Sequence, residues 1–207
     1  SIAAHYDTDY GIGILANITL KNVLAFPKRS TLSADINIAE DPYFKLRFHS
    51  NISQKFKYGA DISVISLFMN QYYDNTINNS YSIQDNKLDL FAEYMPALEQ
   101  QFRVGVVANY VHLRDNLIHD VGADNYDFIS YAYFNYHLNN EDSPTFASRG
   151  WKFNLNGKYI VPVIKMEDGS KMENSVVVRA DLDGSIAVGR KHSLKFGATV
   201  GSSIREY

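Results

Sequence analysis

His112 stands three residues before Asp115, and His119 adjoins Asp120. A histidine beside a carboxylate is the arrangement that orients a general base or activates a nucleophile. Both pairs fall in or beside the polar stretch "RDNLIHDVGADN" (114–125), where a solvated loop is the ordinary reading. The same region spaces Asp120, Asp124 and Asp127, whose oxygens suit Ca²⁺, but the spacing of a calcium loop is missing and a solvated loop is favoured. Ester hydrolysis by serine needs a Gly-x-Ser-x-Gly elbow that exposes a strained nucleophile. The nearest stretches, "DGSIAVG" and "VGSSI", put Ser185 and Ser202 beside glycines inside strand patterns. The remaining histidines, His5, His49, His137 and His192, carry no motif. There is no glycine-rich phosphate loop and no Cys/His zinc spacing, and the chain has no cysteine. The sequence therefore assigns no catalytic, cofactor-binding or metal-binding residue.

Composition narrows the class. A chain of 207 residues with 45% hydrophobic and 21% charged content folds rather than staying disordered. A net charge of −3 gives no reason to expect nucleic acid as a partner. Fifteen Tyr and twelve Phe against one Trp and five Pro favour strands. No run of about 18 apolar residues is present, so no transmembrane helix is expected. The opening "SIAAHYDTDY" lacks the basic and apolar regions of a signal peptide. The expectation is a protein that is not exported, or a mature or trimmed product.

The elements are legible by alternation, since a strand sends successive side chains to opposite faces. In "RGWKFNLNGKYIVP" (149–162), Trp151, Phe153, Leu155, Gly157, Tyr159 and Val161 oppose Lys152, Asn154, Asn156, Lys158 and Ile160. "GIGILANITLK" sets Ile12, Ile14, Ala16, Ile18 and Leu20 against Gly13, Asn17, Thr19 and Lys21. "TLSADINIA", "YFKLRFHSN", "NKLDLFAEYMP", "QFRVGVVANYVHL", "SVVVRADLDGSIAVG" and "HSLKFGATVG" alternate in the same way, whereas "FISYAYFNYHL" is aromatic on both faces. "KYGADISVISLF" changes face after Val64, which predicts a β-bulge there. "EDP" (40–42) and "NNEDSPTFAS" (139–148) read as turns; 70–82, 114–125 and 165–174 read as long polar loops. The sum is about ten strands, most of eight to twelve residues, with no helix and no linker.

Two architectures fit: a soluble sandwich or lipocalin with the apolar face inward, or an antiparallel transmembrane β-barrel with that face toward lipid. Length favours the barrel, because a tilted membrane-spanning strand needs about 9–11 residues. The polar face carries both signs, including Lys45, Arg47, Asp89, Glu93, Arg103, Lys152, Lys158, Arg179, Asp181 and Asp183, which can pair in a wet lumen. Tyr94, Tyr110, Tyr136 and Tyr159 fall near strand ends, where interfacial aromatic girdles sit.

"HYDTDYGIGILANITLKNVL", "RSTLSADINIAEDPYFKLRF" and "SPTFASRGWKFNLNGKYIVP" together resemble the barrel of the bacterial surface-antigen family, the outer-membrane assembly factor superfamily. The match is nearest to the C-terminal barrel of bacterial patatin-like phospholipases, with its "YD" pair and its "PTRG"-like turn before a long strand. Here that turn reads Pro144-Thr145, then Phe146-Ala147-Ser148 before Arg149-Gly150. The resemblance implies an outer-membrane β-barrel of a Gram-negative bacterium, normally sixteen-stranded, of which this chain is a fragment over 1–207. It implies membrane lipid as a partner, together with an attached periplasmic or surface lipase domain or a passenger polypeptide. The family's later "RGF/RGY" loop is absent, which fits a fragment that stops before it. No lipase elbow is present either, so the chain itself is expected to have no catalytic residue. The alternatives are a protein-assembly or polypeptide-secretion barrel of the same superfamily, and a small self-contained pore or barrel enzyme.

Overall fold

In a computed structural model of the chain, the described residues are 2–7, 11–23, 29–39, 41–73, 76–115, 125–143, 147–162, 173–188 and 192–205. For 2–7, 11–12, 69–73, 76–80, 114–115, 125–126 and 162 only the backbone is described. These residues form one antiparallel sheet of eleven strands in strict chain order. The strands are β1 (Ile2–Asp7), β2 (Gly11–Lys21), β3 (Ser30–Ile38), β4 (Tyr43–Asn51), β5 (Phe56–Tyr73) and β6 (Thr76–Ala97). They continue as β7 (Gln100–Asp115), β8 (Asn125–Asn139), β9 (Gly150–Pro162), β10 (Ser175–Val188) and β11 (His192–Arg205). No helix occurs among the described residues. The ten strands read from alternation are all present, and β1 is an addition. The sheet is open: β1 pairs with β2 and β11 with β10, and the two edge strands do not pair with each other.

The register keeps each face continuous from strand to strand. Ile36 lies opposite Phe44, Phe44 opposite Val64, Leu46 opposite Ile62, and Ile62 opposite Leu88. The same row runs on through Ala108 and Ser130 to Val161. This is the register that the apolar alternation demands, since a slip of one residue would turn a whole strand over.

Burial is inverted relative to a soluble protein. Phe91, Val107 and Ala147 are the only buried hydrophobic residues among those described. Phe91 and Val107 sit on the polar face together with buried Asp89, Glu93 and Ser185. The opposite face leaves Ile18, Leu90, Val104, Val106, Leu194 and Val200 exposed, Val200 at 72%. In a single sheet only curling can shield one face, so the polar face lies on the concave side. The molecule exposes 14783 Å², about one and a half times the roughly 9,800 Å² expected of a soluble monomer of its mass.

Two sequence expectations change. The strand with the face switch carries no bulge at Val64: β5 pairs regularly with β4 up to Tyr43–Ile65, and with β6 as far as Gln71, where the register shifts before Tyr72. Ile65 and Leu67 therefore stay on the polar face, opposite Asp85 and Ile83. The described residues of 70–82 are not loop: they are the far ends of β5 and β6, whose strands of 18 and 22 residues outrun the rest. Cross-strand pairing holds Asn-, Ser- and Tyr-rich sequence in strands that composition alone assigns to a turn. The turns expected at 40–42 and 139–148 fall between β3 and β4 and between the last residue of β8 and β9, with 40 and 144–146 outside the described residues. The loops expected at 114–125 and 165–174 fall largely outside the described residues.

Candidate functional site

The chemistry-bearing side chains gather on the concave polar face, across the middle of β4 to β8. Three neighbouring rows build the cluster. Arg47, Asp61, Asp89, Val107 and Tyr131 form one. His49, Gly59, Phe91, Gly105 and Tyr133 form the next, and Lys57, Glu93, Arg103 and Asn135 the third.

The first row sets up a conflict that the third resolves. Asp61 lies directly opposite Asp89, a like-charge pairing that costs stability. Arg103 answers it from β7. Its Nη2 is 3.1 Å from Asp89 Oδ2 and 4.0 Å from Asp61 Oδ2. Its Nε donates to Tyr133 Oη at 3.0 Å, and the Tyr133 hydroxyl in turn lies 2.9 and 3.1 Å from the two Asp89 oxygens. The guanidinium rests on the Phe91 ring, 3.7 Å from its centroid, a cation–π contact. His49 Nε2 is 2.9 Å from Asp61 Oδ1, and the His49 ring stands edge-on to Phe91 at 5.3 Å.

The rings fit because two positions have no side chain. A Cβ at Gly59 would stand 2.5 Å from Phe91 Cζ and 2.6 Å from the Phe48 carbonyl oxygen. A Cβ at Gly105 would stand 2.7 Å from the Tyr133 ring and 2.7 Å from the Leu90 carbonyl oxygen. The two glycines are seats into which Phe91 and Tyr133 lie flat, and the flat rings carry Arg103.

Further pairs line the same face. Lys57 Nζ reaches buried Glu93 at 3.0 Å. Asp35 accepts from both Asn17 and Arg47. Arg179 and Thr199 converge on Asp181, His137 Nδ1 lies 2.5 Å from Asn154 Oδ1, and Lys152 meets Glu141 at 2.5 Å. Arg47, Lys57, Arg103, Lys152 and Arg179 are thus each paired with a carboxylate.

Between β8 and β9, the described residues are tied together by Asp142. Its Oδ1 accepts from the backbone N–H of Ser148 at 2.9 Å and of Arg149 at 3.2 Å, and its Oδ2 from the Ser148 hydroxyl at 2.5 Å. The Ser148 hydroxyl first, and then the two backbone N–H groups, hold the Asp142 carboxyl below the usual carboxylate range. Asn140 Oδ1 accepts from Trp151 N–H at 2.7 Å, and Gly150 takes φ +107°, a conformation that favours glycine.

Of the residues weighed for catalysis, those whose side chains are described, His112, Ser185 and Ser202, lie apart on different strands or faces. His119, Asp120 and Asp124 lie outside the described residues, and the Asp115 side chain is not described. His112 stands on the apolar face, opposite Gln84. Ser185 is buried on the polar face with strands on both sides, so its backbone is held in the ladder; Ser202 lies on β11 opposite Val178. The His–carboxylate contact that does form, His49–Asp61, escapes a sequence reading because the two are twelve residues apart. The signal was available: the turn at 40–42 fixes how β3 and β4 pair, and apolar matching of β4 with β5 sets His49 diagonal to Asp61. The other ring contact of His49 is Phe91, so no nucleophile completes a triad among the described residues.

On the convex apolar face the aromatic residues line up at one end. Phe56 neighbours Tyr94 at 6.5 Å, Tyr94 neighbours Phe102 at 6.5 Å, Phe102 neighbours Tyr136 at 4.6 Å, and Tyr136 neighbours Phe153 at 6.1 Å. Tyr94 and Tyr136 thus belong to one aromatic row across β5–β9. No family model matches the chain, and no curated protein matches it.

Proposed function

We propose that the chain is wall of a transmembrane β-barrel in the outer membrane of a Gram-negative bacterium, with lipid on the convex face and water on the concave one. The observation that carries this reading is the inversion of burial. Large apolar side chains are exposed along the convex face of β2 to β11, no second layer among the described residues covers them, and the ionic network is what curls inward. A hydrocarbon solvent makes that arrangement stable, and water does not. The aromatic row from Phe56 to Phe153 supports it, since such rows sit at membrane–water boundaries.

Strand parity supports a larger barrel. An eleven-strand meander leaves β1 and β11 running the same way, so antiparallel closure takes an odd number of further strands. Five would make the sixteen of the surface-antigen barrels that the sequence resembles. An open edge such as β11 must also be paired inside a bilayer, where unmade backbone hydrogen bonds are costly.

Within that frame the barrel anchors or exports an attached patatin-like lipase domain that the 207 residues do not contain. This part rests on the sequence resemblance; the same wall would serve a protein-assembly or secretion barrel of that superfamily. The test has two arms. The chain should stay dispersed only with detergent or lipid, and a folded monomer in plain buffer would overturn the membrane reading. The intact gene product should turn over p-nitrophenyl esters while the 207-residue chain does not. Inactivity of both would remove the lipase assignment and leave the transport reading.

A further inference from the structure

Three cations border one recess of about 190 Å³ on the concave face: Lys87 from β6, Arg103 from β7 and Lys158 from β9. Val107 and Tyr131 floor it, and one carboxylate, Asp89, reaches it. Asp89 is already engaged on both oxygens, by Arg103 and by the Tyr133 hydroxyl. Neither Lys87 nor Lys158 makes an ion pair with a carboxylate among the described residues. Lys158 Nζ lies over the Tyr131 ring at 5.3 Å, a weak substitute for a counter-ion. Lys87 also borders a neighbouring recess that contains Asp61 and Asp85, yet it comes within ion-pairing distance of neither.

Three cations against one carboxylate that is already engaged leave this concavity with a local deficit of negative charge. We propose that this recess binds a small oxyanion, a phosphate or carboxylate group, held between Lys87 and Lys158, with the Asn135 amide at its border as a further donor. The chemistry is that of charge-assisted hydrogen bonding to oxygen. The volume suits a single such group rather than a whole lipid or nucleotide. The group could belong to a phosphorylated small molecule or to an acidic side chain of a polypeptide in the lumen. The proposal rests on the polar face alone and stands whether or not the convex face meets lipid.

The experiment is a titration of the full chain in a nonionic detergent with inorganic phosphate, followed by phosphorus NMR line width, and in parallel with acetate, followed by amide chemical shifts. Saturable binding of either anion is expected, at a stoichiometry of one. Lys158→Gln and Lys87→Gln should each weaken it about tenfold and the double variant should abolish it, while Lys45→Gln, in the neighbouring recess, leaves it unchanged. Binding of phosphate alone identifies a phosphate source, and binding of acetate alone identifies a carboxylate one. Lys158→Arg, which keeps the charge, should retain binding and guards against a folding artefact. Absence of saturation with both anions, or binding that survives the double variant, overturns the site.

Discussion

Asp61 and Asp89 face each other directly across β5 and β6, and the guanidinium of Arg103 lies against both, at 4.0 and 3.1 Å. The two carboxylates tolerate that register because the third strand supplies their counter-charge. Replacing Arg103 by Met should therefore cost about 2–3 kcal/mol, below the full penalty of a broken buried pair because the arginine is partly exposed. Adding Asp89→Asn should recover part of the loss. Urea titrations of the detergent-folded single and double variants check this, and additive losses would remove the coupling.

Charge should be resisted on one face of β9 and accepted on the other. Leu155 lies on the convex face between Tyr136 and Ala180. Leu155→Arg should cost about 2–4 kcal/mol in a bilayer. Asn154→Arg, one residue away on the polar face, should lose only its contact with His137, about 1 kcal/mol. Folding titrations into phospholipid vesicles measure both, and equal or reversed costs contradict the two-faced assignment.

Two glycines should respond in opposite ways to the same change. Gly59→Ala drives a methyl into the Phe91 ring and the Phe48 carbonyl, so a loss of about 1–3 kcal/mol is expected. A Cβ at Gly157 meets nothing within 4 Å. Gly157→Ala should be neutral or stabilise by about 0.4–1 kcal/mol through the unfolded chain. Melting temperatures in detergent decide between these outcomes, and a destabilised Gly157→Ala would show that the convex face is covered there.

The β8–β9 turn should loosen in acid. A carboxyl held low in the folded state stabilises when ionised. That contribution is fully present above the unfolded value of about 3.9 and is lost as pH falls through the lower folded value. Proteolysis within 140–149 should rise over that acid window for the natural chain. Asp142→Asn should be susceptible already at neutral pH, and Ser148→Ala should move the onset toward higher pH. An onset unaffected by either change would dissociate the turn from Asp142.

Strand identity was legible in the sequence because alternation is local. "YFKLRFHSN" and "GIGILANITLK" give β4 and β2 to the residue, since apolar side chains at every second position have one way to share a face. The hairpin ends were not, because Asn, Ser and Tyr at 70–82 read as loop until a partner strand is present to satisfy their backbone groups. Nor was the absence of a bulge at Val64, where the polar face simply accepts Ile65 and Leu67.

The sequence by itself determined the all-β class, the two-faced strands and the lack of a serine-hydrolase elbow, since each depends on neighbours along the chain. The tertiary structure alone decided that Asp61, Asp89, Arg103, Tyr133 and Phe91 form one network and that Gly59 and Gly105 seat its rings. Those contacts join residues on four strands, β5 to β8, and hydrogen-bonded register, a property of pairs of strands rather than of any one segment, is what brings them within reach.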